Sequence, residues 1–165
     1  MADGQPQQGS RPLGSLIEAA KNGDLSVKFN ENVRLNAEEF AYIDRDCDEF
    51  KSFIRSAQGV ANDIARQKKW GLGEDQDILP SAKILVSRFR NKAGTAGDGH
   101  DNPNNVHDIL EQHYQCVHDI QTLHKTIAQK LIDTDQEFAA AYKEISEHMP
   151  PSPITSNHRP LPKTP

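Results

Sequence analysis

Between Asn105 and Glu147 the apolar positions recur at alternating spacings of four and three. Val106, Leu110, His113, Val117, Ile120, His124, Ile127, Leu131, Thr134, Phe138, Ala141 and Ile145 keep that alternation to the end. A heptad stripe of this kind marks a helix laid along another helix. As one unbroken helix it would be about 60 Å long. A second stripe runs through Phe40, Ile43, Cys47, Phe50, Ile54, Ala57, Ala61 and Ile64. It predicts a first long helix over 36–69, with Asn36 and Glu39 at capping-box spacing. Lys68 and Lys69 suit its C-terminal end. Trp70-Gly71-Leu72-Gly73 then stops it.

The rest of the chain is shorter in period. A helix is expected over 78–93, with Asp77 as N-cap, Pro80 in the first turn and Leu79, Ala82, Leu85, Val86 and Phe89 buried. Gly94 ends it, and 93–104 is a loop by composition. Upstream, Leu13, Leu16, Ile17, Ala19 and Ala20 cluster in a short helix, with Ser15 as N-cap and Asn22-Gly23 as stop. Leu25 to Phe29 alternates and is expected to lie extended on helices. Residues 1–12 and 149–165 are rich in Pro, Gln and Gly and predict disordered tails around one helical domain, 13–148.

The fold class expected is all-α: an antiparallel hairpin of two long helices with an inserted short helix. A short turn near Trp70 favours the antiparallel form. A parallel form stays open, and would bring Cys47 and Cys116 level. The last helix also carries Ile109, Cys116 and Leu123, seven residues apart and beside its main stripe. A seam with one neighbour does not need them, so they predict a second contact. The end of that helix, at Phe138, Tyr142 and Ile145, outruns the first helix and needs a cover. The candidates are the segment 13–29 or a partner protein.

Composition narrows the function classes. The chain has 24 acidic and 19 basic residues and a net charge of -5, which argues against nucleic acid as partner. No apolar run approaches the roughly 20 residues of a membrane span. The polar start MADGQPQQGSRP has no apolar core of a Sec signal. Two cysteines are too few for a disulfide framework and predict reduced, buried thiols.

Candidate chemistry is sparse. His113, Cys116 and His118 are close in sequence, but on a helix His118 points away from the other two. Glu111 precedes His113 by two residues, not the three of a di-iron bundle motif. His113 and His124 are expected as partly buried seam residues whose protonation would loosen the seam. Gly71 and Gly73 lack the Lys-Ser/Thr of a phosphate loop. Glu and Asp on the long helices read as a solvated face. A binding protein is therefore expected rather than an enzyme, with no metal, cofactor or small-molecule substrate.

Trp70-Gly71-Leu72-Gly73-Glu74, Leu79-Pro80-Ser81-Ala82-Lys83, Arg88-Phe89-Arg90 and Asp135-Gln136-Glu137-Phe138-Ala139 carry a further likeness. The stretch from about Leu25 to Ser146 resembles the WXG-type helical hairpins of type VII (ESX) secretion in actinobacteria. The family turn is Trp-any-Gly; here Trp70 is followed directly by Gly71 and then by Gly73. The family's export spacing places an acidic residue four after a tyrosine. Tyr142 meets Ser146 there, whereas Tyr42 and Asp46 fit it inside the first helix. The resemblance implies a protein secreted by a non-Sec route, working as a homodimer or with a paired helical-hairpin protein. Its turn residues would be Trp70, Gly71 and Gly73. The alternative is a cytosolic adaptor that is not exported.

Overall fold

A computed structural model describes residues 11–25, 36–94 and 104–156. Among these residues the regular structure is entirely helical: α1 (Gly14–Asn22), α2 (Ala37–Arg66), α3 (Pro80–Ala93), α4 (Val106–Thr134), α5 (Gln136–Glu147) and α6 (Pro153–Ser156). Most of the expected extended segment and of the 93–104 loop lie outside the described residues, as do the outer parts of both tails. The chain divides into two compact units. Unit 1 is Met1–Phe50 with Gln115–Pro165, and unit 2 is Lys51–Tyr114.

In unit 2, α2 ends at Arg66 and the chain turns through Trp70 to Gly73. α3 then returns along α2. Trp70 stacks on Phe89 at 5.6 Å, and a Cβ on Gly94 would lie 3.2 Å from Ala65 Cβ. Rising numbers on α3 therefore meet falling numbers on α2. The start of α4 continues in the same sense: the Gln58 amide donates to His107 O (3.2 Å), and the Arg55 guanidinium to Glu111 (2.5 Å). α3 is thus not an insertion beside two long helices. It forms the first part of the returning arm, level with the end of α2, and α4 takes over further along.

The core of this unit is built from small side chains. Ile54, Ala61, Ala65, Ala82, Val86 and Ala93 are its buried apolar residues. Small residues let α2 and α3 approach closely, which is why Gly94 has no room to spare against Ala61 and Asn62. Leu79, Leu85 and Phe89, expected inside, are each more than 40 % exposed. α3 also starts later than expected. Pro80 occupies its first turn, Leu79 is the N-cap residue, and Asp77 pairs with Lys83 instead of capping.

In unit 1, the start of α2 runs against α4 with opposite direction. Phe40 stacks on His124 at 4.4 Å, and Gln121 donates to Asp44 Oδ1 at 2.5 Å. Asn36 caps α2 as expected, accepting from the Glu38 N–H. The long C-terminal helix is not continuous. It breaks at Asp135, whose carboxylate accepts from the N–H groups of Glu137 and Phe138 and starts α5. Phe138 then touches the same Phe40 ring that His124 touches. On a straight helix, residues 124 and 138 would be about 21 Å apart, so the break folds α5 back onto the start of α2.

Both flanks of unit 1 are docked. Arg11 and the Leu13 N–H bond Asp119, and Gly23 lies beside the Lys130 ammonium, so α1 rides α4 in parallel. Ile17 and Ala20 are its buried residues. Its N-cap is Leu13, not Ser15, while Gly23 (φ 84°) closes it as expected. At the other end, Arg45 donates to Pro150 O and the Ser152 hydroxyl to Asp46. That carries α6 on α2, where a disordered tail is expected from composition.

Candidate partner-binding surface

The Trp70 turn is held by one carboxylate. Gly71 (φ 71°) and Gly73 (φ 85°) are left-handed, a conformation that L side chains resist. This geometry aims the successive N–H groups of Trp70, Gly71 and Leu72 inward, and all three donate to Glu74, at 2.5, 3.3 and 2.9 Å. These bonds, the Trp70 N–H foremost, hold the Glu74 carboxyl below its ordinary pKa. The Trp70 indole N–H donates to Gln67 O, and Arg90 donates to the carbonyls of Gln67 and Lys68. The end of α2 is therefore capped from the returning arm.

Beyond the core, each long helix carries exposed apolar side chains. On the unit 2 part of α2, Phe53, Val60 and Ile64 are exposed and Ala57 half-buried between them. The spacing is again four, three, four. On the unit 1 part, Ile43 and Phe50 are exposed, seven apart. On α4, Val106 and Ile109 are exposed in unit 2 and Ile120 in unit 1, with Cys116, Leu123 and Ile127 half-buried. Part of the expected seam therefore faces solvent, at Ile43, Phe50, Ile64, Val106 and Ile120, while Ile54 and Ala61 of the same seam are buried and are joined in the core by their neighbours Gln58 and Ala65.

The residues marked from sequence thus separate. Ile109 is exposed, and Cys116 and Leu123 are half-buried on the same flank of α4. Phe138 is 6 % exposed, packed on Phe40 and Tyr142, and offers no surface to a partner. Tyr142 and Ile145 are half-buried on α5. Cys47 and Cys116 are half-buried thiols, not a disulfide.

Comparison with protein-family models, with curated proteins and with solved structures finds no match.

Polar groups within unit 1 secure the fold. Asp119 is fully buried and bound by the Arg11 guanidinium at 2.7 and 2.5 Å. It is the opposite of the solvated face expected for acidic residues here. His124 is half-buried against Phe40, its Nε2 buried without a hydrogen bond. Burial pushes its pKa down, against the pull of the Asp44 charge. His113, expected in the seam with it, is exposed. Among the described residues no helix is long and apolar enough to cross a membrane, and no three His, Cys, Asp or Glu side chains are placed to hold a metal ion. A cavity of about 490 Å³ beside α1 and α4 is lined by Lys21, Lys125, Lys130, two threonines, Gln129 and Asp133. Lys125 there is committed to Asp44 at 3.0 Å, which raises its pKa.

Two features escape sequence reasoning. Glu74 reads as one acid in a polar bridge, though its position directly after Gly-x-Gly signals an anion seat for a turn with left-handed glycines. Asp119 carries no local signal at all, because its partner, Arg11, is 108 residues away.

Proposed function

We propose that this chain is a helical-hairpin protein that works by binding a helical protein partner, without catalysis of its own, in association with type VII secretion. The observation that carries the binding reading is the exposed apolar stripe: Val60 and Ile64 on α2, with half-buried Ala57 one step before them, and Val106 and Ile109 on α4. Large apolar side chains at four-three spacing fit the knobs-into-holes packing of another helix. The secretion reading rests on the resemblance around Trp70. It is supported by the place of that tryptophan at a turn where α3 and the start of α4 run back along α2.

The test of binding is mass in solution and co-purification. A homodimer, or a co-purified second hairpin protein, with loss of either in Val60→Glu, supports the reading. A strict monomer with no partner in the producing cell counts against it. Export is tested in culture filtrate from strains with and without a working type VII ATPase. Presence in the filtrate only with the ATPase supports it, and confinement to the cytosol in both strains sinks it. A cytosolic adaptor is the second reading, favoured by Tyr142, which lacks an acidic residue four places on.

A further inference from the structure

Unit 2 carries a second exposed surface unlike the heptad stripe. Its centre is α3, which contains Lys83, Arg88, Arg90 and Lys92 and no acidic residue, in a chain of net charge -5. Only Ala82, Val86 and Ala93 of this helix are buried. The outward side exposes Ile84 (55 %) and Leu85 with Arg88 and Lys92. The adjoining turn adds Leu72 and Ile78, the latter 84 % exposed, and Lys68 and Lys69 are exposed just before it. The nearby acids are largely engaged. Glu74 is bound by the turn's N–H groups and Asp77 by Lys83, while Asp75 is exposed.

We infer that α3 and the Trp70 turn form a docking face for an anionic lipid surface, bound reversibly and without a span. Charge complementarity identifies the occupant. Cations set among exposed aliphatic side chains are what an interfacial helix offers to anionic headgroups and the acyl boundary beneath them. The irregular spacing favours a lipid surface over a protein. Leu72 and Ile78 lie in the turn and Ile84 and Leu85 are adjacent, so no partner helix finds a repeating seam there. A fluid surface takes up an irregular apolar set without matching it.

Trp70, the chain's one tryptophan, reports on this face. The experiment mixes the full chain with vesicles of phosphatidylcholine, pure or with phosphatidylserine at about one in three lipids, at low salt. The result expected is pelleting with the anionic vesicles alone, protection of Trp70 from acrylamide quenching, and release by salt. Arg88→Gln with Lys92→Gln should weaken binding by about 30-fold, from about 1 kcal/mol for each cation. Ile84→Ser with Leu85→Ser should weaken it too; all four side chains are exposed, and far-UV circular dichroism verifies the fold. Failure to pellet with anionic vesicles, equal pelleting with neutral ones, or undiminished binding by both folded variants overturns the inference. So does retention on immobilised polyglutamate without vesicle binding, which would assign the face to an acidic protein. Quenching protection in the unmodified chain keeps the test decisive should a variant misfold.

Discussion

At the scale of the residue, two titratable groups make the fold sensitive to acid for different reasons. Glu74 is held below its ordinary pKa by backbone N–H donors. Its contribution is fully present above the free carboxylate value and disappears as pH falls through the lowered folded value. Glu74→Gln leaves one carbonyl oxygen where two carboxylate oxygens served three donors. Faster amide exchange at Trp70, Gly71 and Leu72 and an altered Trp70 emission are the outcomes expected. His124 is also lowered, by burial. Neutral at high pH in both states, it resists protonation only when folded, so stability falls as pH drops below the free imidazole value. Urea unfolding at about pH 7 and about pH 5 should show a smaller acid loss in His124→Leu than in the parent. Sequence placed His113 and His124 alike on the seam, but periodicity ranks positions by angle alone. Only packing distinguishes the ring stacked on Phe40 from the one left in water.

At the scale of the element, the break at Asp135 is the feature that periodicity conceals. Thr134 and Phe138 keep the four-residue step across it, so the heptad count runs on as if the helix did. Asp135 begins α5 by accepting from two N–H groups. Asp135→Ala should destabilise the chain by about 1 kcal/mol, read as a lower urea midpoint. The turn at Gly73 is equally specific. With φ at 85° and Leu79 Cδ1 2.8 Å from an added Cβ, Gly73→Ala should cost about 1–2 kcal/mol, seen as a lower melting temperature. The caps at Asn36 and Gly23 were legible, because each is a local pairing of residue type with backbone position. The expected caps at Ser15 and Asp77 were not realised, since the elements begin two residues earlier and two residues later than those positions imply.

At the scale of the whole molecule, contacts between residues far apart in sequence tie both flanks down. Arg11 with Asp119, and Ser152 with Asp46, are separations of 108 and 106 residues. Asp119→Ala removes the buried partner of Arg11 and the acceptor of the Leu13 N–H. Because the Arg11 side chain is 46 % exposed, the loss should be about 2 kcal/mol rather than that of a fully buried pair. Urea unfolding measures it, with faster exchange in α1 as the local sign. The segment 13–29 was the candidate within the chain to cover the end of the C-terminal helix at Phe138, Tyr142 and Ile145, but α1 lies on α4 at Asp119 and Lys130 instead. The end of that helix is covered another way, by folding α5 back onto Phe40.

The residues by themselves determined the all-helical class, the two long amphipathic stretches and the stop at Trp70. These follow from spacing, and spacing is a property of the chain before it folds. Tertiary structure decided which side of each stripe is core. Ile54 and Ala61 of the heptad stripe are buried, but Gln58 and Ala65 join them in place of Ala57 and Ile64. Small side chains at Ala61 and Ala65 let α2 and α3 come close, and the larger Val60 and Ile64 stay outside. It also decided that α3 belongs to the returning arm and that Phe138 turns inward, since both depend on where the chain reverses. Reversals at Trp70 and Asp135 bring distant residues to one place, and no local pattern encodes that meeting.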